Sequence, residues 1–296
     1  MTNLGSYSYL LPINFFYTTM VIEILEKNDH KLMFVVDNIS LEMINAIRRI
    51  ILSEIPVMAV DEVIVLKNDS PLYDEIISHR LGMIPLKTDL KAYKLPRDCD
   101  CGGFGCALCQ VSLTCEVINT SNSPIEIFSG DLKSNDPEIV PVDPNILIVK
   151  IDKNNQLILE AYAILGLAKD HVKWQAVSNF FYRDYPVIEF NNSKCTNCTD
   201  KCVVSRMCPE KLYDFSDGKS PKLLEDYWNT CTICKSCERD CPEEAIKVNT
   251  KDDTYIVSIE SDGVLPFETI IEKVFEIFLE KINEFVEKLE ALELES

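Results

Sequence analysis

Cysteine is the residue type with the clearest chemical potential in this chain, which contains 13 cysteines among 296 residues. One group is spaced Cys231-x2-Cys234-x2-Cys237-x3-Cys241 and is followed directly by Pro242. In this spacing, three adjacent thiolates hold irons of one iron-sulfur cluster, and the fourth thiolate ligates a different cluster. The motif therefore predicts iron-sulfur chemistry.

A companion group lies earlier in the chain, at Cys195-x2-Cys198-x3-Cys202-x5-Cys208, and is also followed by a proline. Crossing the fourth ligands, as in two-cluster ferredoxins, assigns one 4Fe-4S cluster, or a 3Fe-4S form of it, to Cys208, Cys231, Cys234 and Cys237. A second 4Fe-4S cluster would use Cys195, Cys198, Cys202 and Cys241. The alternatives are zinc in the same thiolates and disulfides, but zinc does not require a triple-cysteine motif with a proline.

A third group, Cys99-x-Cys101-x4-Cys106-x2-Cys109, has glycine at positions 102, 103 and 105. Four soft thiolates suit tetrahedral zinc, and glycine lets a short backbone bend around the metal. The alternative is a flexible cysteine-rich loop without metal. Cys115 falls in the strand-like run after this loop and is most simply a buried apolar residue.

The charge of the chain limits its partners. It has 48 acidic and 29 basic side chains and a formal net charge of -19. A large basic surface for nucleic acid would have to form against this field, so direct DNA binding is disfavoured and protein partners are favoured. The hydrophobic content of 47% is sufficient for a globular core.

The number of cysteines and the length of the chain indicate the redox environment of the protein. Their number is odd and the chain is long, whereas disulfide scaffolds are usually short and secreted. Residues 1–19 form an extension without a basic start or an uninterrupted apolar span of about twenty residues, so the sequence predicts neither a secretory signal nor a membrane helix. We therefore expect a reducing, cytoplasmic location.

Hydrophobic periodicity predicts the elements that must position these cysteines. Two strand-like runs between Val21 and Val36 predict a hairpin, and apolar residues at helical spacing between Ser40 and Pro56 predict an amphipathic helix. Short apolar runs separated by turn residues predict a mainly β region at residues 57–165. A further strand is predicted at residues 255–260.

The last segment carries a stripe of apolar residues that alternates steps of four and three. The stripe consists of Ile271, Phe275, Phe278, Ile282, Phe285, Leu289 and Leu292. Such a stripe predicts a helix that packs either on its own core or on a partner helix. The pattern by itself favours neither of the two.

Two long stretches outside the cysteine groups carry a family signature. They read NAIRRIILSEIPVMAVD at residues 45–61 and HRLGMIPL at residues 79–86. Both closely resemble the RNA polymerase alpha-subunit family, which includes the bacterial alpha subunit, the eukaryotic third subunit and their archaeal counterpart. The similarity to the archaeal counterpart is the fullest, because this protein commonly adds a ferredoxin-like insertion, and it extends from Met20 to the carboxyl end.

The resemblance implies an α+β fold in which an alpha-subunit-like dimerisation domain carries two insertions. The dimerisation domain would comprise residues 20–56, 166–190 and 250–296. An inserted mainly β domain would occupy residues 57–165, including the loop at 99–109, and an inserted ferredoxin-like iron-sulfur domain would occupy residues 191–249.

The resemblance also implies a non-catalytic role in DNA-directed RNA polymerase, the nucleotidyltransferase that transcribes DNA into RNA from the four ribonucleoside triphosphates. The chain would form a heterodimer with subunit L, and this pair would be the platform for subunits N and P and the two large catalytic subunits. Arg48 and Arg49 would contact a large subunit, with a phosphate contact and a solvated helix face as alternatives. DNA would be reached only through the complex.

The chain lacks the sequence features that nucleotidyl transfer needs. That reaction uses two magnesium ions held by clustered carboxylates, whereas Asp217-Gly218 and Asp262-Gly263 are isolated turn dipeptides. No Walker or dinucleotide-binding glycine motif is present. Two other functions remain as alternatives: an electron carrier or oxidoreductase subunit, which the iron-sulfur motif would suit, and a zinc-dependent regulator, which the acidic charge disfavours.

Overall fold

The computed structural model describes residues 20–191, 193–195, 202, 204–214 and 222–294, and it has a mixed α+β fold. The expected α+β class is therefore confirmed. Its strands are β1 (Val21–Lys27), β2 (Lys31–Asp37), β3 (Val57–Asn68), β4 (Gln110–Ile118), β5 (Ile125–Phe128), β6 (Lys133–Ser134), β7 (Leu147–Ile151), β8 (Gln156–Gly166), β9 (Asn179–Phe190), β10 (Tyr213–Asp214), β11 (Lys222–Leu223) and β12 (Ile246–Glu260). Its helices are α1 (Leu41–Ser53), α2 (Asp74–Gly82), α3 (Val204–Met207), α4 (Tyr227–Thr230), α5 (Ser236–Arg239) and α6 (Phe267–Leu294).

The first sheet is antiparallel and has the order β1-β2-β12-β9. The predicted hairpin is confirmed as β1 and β2, and its turn is closed by Asn28, whose side-chain oxygen accepts hydrogen bonds from the backbone of His30 and Lys31. Residues of β2, β9 and β12 share one hydrophobic core with α1 and the amino-terminal part of α6. This sheet is thus covered by two helices that are far apart in sequence.

The predicted amphipathic helix is confirmed as α1. The Ser40 hydroxyl caps it by accepting a hydrogen bond from the backbone of Met43, which satisfies one of the free N–H groups at a helix start. Ile44, Ile50 and Ile51 are buried in the first core. The apolar spacing read from the sequence is therefore the face that packs on the first sheet.

The second sheet has the order β3-β8-β4-β6, and a separate pair, β5 and β7, packs on the same core. The prediction of a mainly β region is confirmed, but this region also contains α2, which we did not predict. Ile77 and Leu81 of α2 are buried, and the Arg80 guanidinium donates a 2.6 Å hydrogen bond to the carbonyl of Ile148 in β7. The HRLGMIPL stretch thus connects α2 to the second core.

Strands β9 and β12 extend beyond the first sheet as a two-stranded ribbon. Their register runs from Asn179 opposite Glu260 to Phe190 opposite Ile246, with a shift between Lys251 and Tyr255. The chain leaves β9 and enters β12 at the far end of the ribbon, where the described residues between these two strands lie. A third small hydrophobic core joins this segment to the ribbon.

The segment between β8 and β9 joins the two sheets. Lys173 donates hydrogen bonds to the backbone carbonyl of Val60, at 3.1 Å, and to the carboxylate of Asp61, at 2.6 Å, and its ammonium lies 4.3 Å from the centre of the Trp174 ring. Trp174 in turn covers Gly166 so closely that a Cβ there would lie 2.3 Å from the indole. Glycine is therefore required at position 166 for this packing.

We predict that Gly166→Ala destabilises the protein by about 1–3 kcal/mol, because the added methyl group would force Trp174 out of its position. Chemical denaturation of the purified chain would measure this loss. Gly82→Ala is a matched control, since a Cβ at Gly82 meets its nearest atom at 3.5 Å, an ordinary contact. Equal stability of the two variants would contradict the packing requirement at position 166.

Candidate metal centres

The loop between α2 and β4 brings four cysteine side chains together. Cys99, Cys101, Cys106 and Cys109 each offer a sulfur atom, and these atoms all lie within 4.8 Å of one another. Two turns form the loop: the Gly102 N–H donates to the Cys99 carbonyl, and the Cys109 N–H donates to the Cys106 carbonyl. Each turn therefore places its cysteines on the same side of the loop.

The distances between these sulfur atoms are suited to a tetrahedral metal ion. They are 3.5 Å for Cys99 and Cys101, 3.5 Å for Cys101 and Cys109, 3.6 Å for Cys99 and Cys106, and 3.7 Å for Cys106 and Cys109. A zinc ion bound to sulfur at about 2.3 Å places the corners of its tetrahedron about 3.8 Å apart. The group is thus compatible with one metal ion, and the distances do not by themselves identify the metal.

Glycine makes this loop geometry accessible. Gly102, Gly103 and Gly105 have positive φ angles of 67°, 82° and 87°, which L side chains rarely adopt. At Gly105 a Cβ would also lie 2.1 Å from the side-chain oxygen of Gln110. The three glycines are therefore needed for the backbone conformation, and Gly105 is needed for space as well.

The thiols of this loop differ in acidity. Burial raises the pKa of Cys109 to about 12. Burial opposes ionisation of Cys101 as well, but hydrogen bonds with the other three thiols outweigh this effect and lower its pKa to about 6. One thiolate thus forms readily near neutral pH, and a bound cation would displace protons from the others.

A second cysteine site lies in the segment held by the ribbon. Cys208, Cys231, Cys234 and Cys237 line one cavity together, with Ile188 of β9 and Val248 of β12 among its other walls. Cys231 and Cys237 are buried, Cys208 is half-buried and Cys234 is exposed. These are the four residues that the crossed arrangement assigns to the first cluster.

The backbone around this cavity is unusual. Ile233 and Lys235, which flank Cys234, have positive φ angles of 54° and 56°. Such angles are costly for non-glycine residues and especially for β-branched isoleucine, and strain of this kind is concentrated at functional sites. The two strained residues therefore lie directly on either side of a candidate ligand, Cys234.

Backbone N–H groups favour ionisation of the thiols of Cys231, Cys234 and Cys237. At Cys234, a hydrogen bond from the backbone of Ser236 is the largest effect and lowers the pKa of the thiol. Burial raises the pKa of Cys231 and of Cys237, and a backbone N–H opposes the rise in each. Amide hydrogen bonds to cysteine sulfur stabilise thiolates and also tune bound clusters, so this donor set is suited to iron-sulfur ligation.

The residues assigned to a second cluster are only partly described. Cys195 is buried, Cys202 and Cys241 are half-buried, and Cys198 lies outside the described residues. Cys202 and Cys241 pack against the third core, and the Cys241 sulfur accepts a hydrogen bond from the Ala245 N–H at 3.4 Å. This set remains a prediction.

Two contacts attach the cluster motif to the first sheet, and the sequence patterns indicated neither of them. Arg183 of β9 donates to the backbone carbonyls of Cys231, at 2.7 Å, and Asn229. Tyr185 stacks on Trp228, with ring centres 5.7 Å apart and an interplanar angle of 13°. No spacing rule relates an arginine on a strand to a carbonyl nearly fifty residues later.

Comparison with known proteins identifies the family of the chain that carries these sites. The family model of the RNA polymerase Rpb3/Rpb11 dimerisation domain matches residues 33–282. The chain belongs to this RNA polymerase family. The resemblance inferred from residues 45–61 and 79–86 is therefore confirmed.

Curated relatives extend over nearly the whole chain. A protein of Methanosarcina acetivorans named DNA-directed RNA polymerase subunit Rpo3 is 36% identical over 276 residues, which are 93% of this chain and 100% of the relative. The Rpo3 subunit of Methanosphaera stadtmanae is 40% identical over 255 residues, 85% of this chain and 92% of the relative. That of Archaeoglobus fulgidus is 36% identical over 272 residues, 91% of this chain and 98% of the relative. A free electron carrier is not favoured by these relatives.

In this dimerisation-domain family member, α6 has two distinct parts. Ile270, Val274 and Ile277 are buried in the first core, and Ile271 and Phe278 of the predicted stripe pack against that core. From residue 281 to residue 292, by contrast, every side chain is exposed. The interpretation of a helix on its own core is thus confirmed for the amino-terminal half of α6, and packing on a partner helix stays a prediction for the exposed half.

The exposed half of α6 is amphipathic. Its apolar side chains are Ile282, Phe285, Val286, Leu289 and Leu292, with Phe285 62% and Leu292 64% exposed. Lys281 pairs with Glu54 at the end of α1, at 2.8 Å, which marks where the helix leaves its own core. None of the helices in the described part of the chain is long and apolar enough to cross a membrane.

We predict that the loop at residues 99–109 binds one zinc ion per chain and that Cys106→Ser removes most of it, because a hydroxyl is a much poorer zinc ligand than a thiolate. Zinc analysis of the purified protein after equilibration with the ion would measure this. Cys115→Ala is the matched control, since Cys115 is buried in the second core and its pKa is raised by burial to about 11. Equal zinc content in the Cys106→Ser variant would exclude this site.

Proposed function

We propose that this chain is a non-catalytic assembly subunit of a DNA-directed RNA polymerase. The observation that carries the proposal is the exposed apolar half of α6 in a chain that belongs to a polymerase dimerisation-domain family. A stripe of large apolar side chains without a covering surface is typical of a permanent interface, because burial on association stabilises it.

The partner in this proposal is the smaller polymerase subunit L, whose dimerisation surface would cover the exposed half of α6. The resulting pair would be the platform for subunits N and P and the two large catalytic subunits. Arg48, which is half-buried, and Arg49, which is exposed, lie on α1 and would contact a large subunit. Association would occur in the cytoplasm, where a reducing environment would keep the cysteines available for metal.

The proposed domain organisation follows the two sheets and the ribbon. A dimerisation domain of residues 20–56, 166–190 and 250–296 is supported by the shared core of the first sheet, α1 and α6. A mainly β domain at residues 57–165 is supported by the second core, and an iron-sulfur domain at residues 191–249 by the third.

The iron-sulfur domain would hold a 4Fe-4S or 3Fe-4S cluster on Cys208, Cys231, Cys234 and Cys237. The shared cavity, the positive φ angles of Ile233 and Lys235 and the amide donors support this ligand set. A second 4Fe-4S cluster would use Cys195, Cys198, Cys202 and Cys241. When bound, the clusters would contribute cross-links to a segment whose own hydrophobic core is small.

A tagged copy expressed in the native cell tests the proposed function. The large polymerase subunits and subunit L should be recovered with the tagged chain and identified by mass spectrometry. Recovery of the chain alone would contradict the assembly role. Recovery with a redox enzyme in place of the polymerase would support the electron-carrier alternative.

We predict that Leu289→Glu weakens the heterodimer on the order of thirtyfold, since losing the burial of one leucine costs about 2 kcal/mol. Titration of the partner subunit against the purified variant would measure the dissociation constant. Ala291→Glu adds the same charge on the opposite face of α6 and should bind like the unaltered chain. If the two variants bind equally well, the apolar stripe is not the interface.

We further predict that Cys234→Ser lowers the iron content and removes amide protection in the described parts of residues 191–249, while the first sheet stays protected. The reason is that the third core alone is too small to fold this segment without its metal cross-links. Iron analysis and hydrogen exchange, followed by mass spectrometry, would detect both changes. Full protection of the segment in an iron-free variant would show that the cluster has no structural role.

A further inference from the structure

Tyr213 carries a buried hydroxyl that has no hydrogen-bond partner in the described part of the chain. The residue lies in the short strand β10 and is 7% exposed, and its hydroxyl oxygen is fully buried. Buried hydroxyl groups are almost always hydrogen-bonded, because leaving one unpaired costs about 1–3 kcal/mol. An acceptor is therefore expected at this position.

The cavity of the first cysteine set is where that acceptor would lie. Tyr213 lines this cavity together with Cys208, Cys231 and Cys237. Burial is the main cause that raises the pKa of Tyr213, and the Cys237 thiol is the next. The hydroxyl is thus held at the sulfur ligands and away from solvent.

The other walls of the cavity offer few alternatives to sulfur as an acceptor. Ile188, Leu212 and Val248 are apolar. Glu210, Thr232 and Lys235 also line the cavity, but all three residues are exposed, so their polar groups are accessible to solvent. A sulfur-rich group bound between the four cysteines would place acceptors beside the hydroxyl.

We propose that Tyr213 donates a hydrogen bond to the iron-sulfur cluster, at an inorganic sulfide or at the Cys237 sulfur, and thereby raises the reduction potential of the cluster. This inference rests on the cluster assigned above to Cys208, Cys231, Cys234 and Cys237. A donor to cluster sulfur stabilises the reduced state more than the oxidised state, because reduction adds an electron and increases the negative charge on sulfur. Tyr213 is then a tuning residue in addition to a core residue.

The test is a potentiometric titration of the full chain, prepared anaerobically with its partner subunit. In Tyr213→Phe, which keeps the ring and removes the hydroxyl, the equilibrium constant for one-electron reduction should fall about two- to tenfold, and tenfold corresponds to about 59 mV. If two reduction steps are observed, only one should shift. Tyr227→Phe is the matched control, because Tyr227 packs on the same core but does not line the cavity.

The outcomes separate a failure of the proposed hydrogen bond from a failure of the proposed cluster. A potential that moves in Tyr213→Phe and not in Tyr227→Phe supports the hydrogen bond, whereas equal potentials in a fully loaded variant overturn it and leave the cluster intact. Absence of iron from the unaltered chain overturns both. If Tyr213→Phe loses its iron, 3-fluorotyrosine at position 213 provides the test. Its hydroxyl is more acidic and is a stronger donor, so the reduction potential should shift in the positive direction. An unchanged potential would refute the donor role.

Discussion

The pairing of β9 with β12 is the constraint on which the rest of this structure depends. The inner part of the pair completes the first sheet, whose core includes α1 and α6. The outer part, from Ile246 to Lys251 on β12, carries the cysteine-rich segment. The register shift between the two parts is stabilised by Asp37, which accepts hydrogen bonds from Lys251 at 2.6 Å and Thr254 at 2.7 Å and whose pKa is lowered first by the Lys251 bond.

This arrangement connects the candidate cluster site and the proposed subunit interface through the first sheet. Arg183 of β9 contacts the cysteine motif, and β9 lies at the edge of the sheet that packs on α6, the helix of the proposed interface. The insertion adds a third core without interrupting the first, because it enters and leaves at adjacent strand ends. A large addition is therefore tolerated in a fold that must keep its dimerisation surface.

Much of the local structure could be predicted from the sequence. The hairpin, helix α1 and the sheet-rich middle region follow from short-range periodicity and turn chemistry, and all three are confirmed. Helix α2 was missed because only Ile77 and Leu81 are buried along it, which is too weak a periodic signal. The split of α6 was not visible either, because its stripe continues unchanged from the buried half to the exposed half.

The sequence by itself determined the family, through the continuous stretches at residues 45–61 and 79–86, and it supplied the spacing of the candidate metal ligands. Only the tertiary structure decided which groups meet: the shared cavity of Cys208 and Cys231, the orphan hydroxyl of Tyr213 and the docking of Arg183. The reason is physical. Thiolate spacing within a motif is a local property of the backbone, whereas desolvation and contacts between distant segments arise only after the strands have paired.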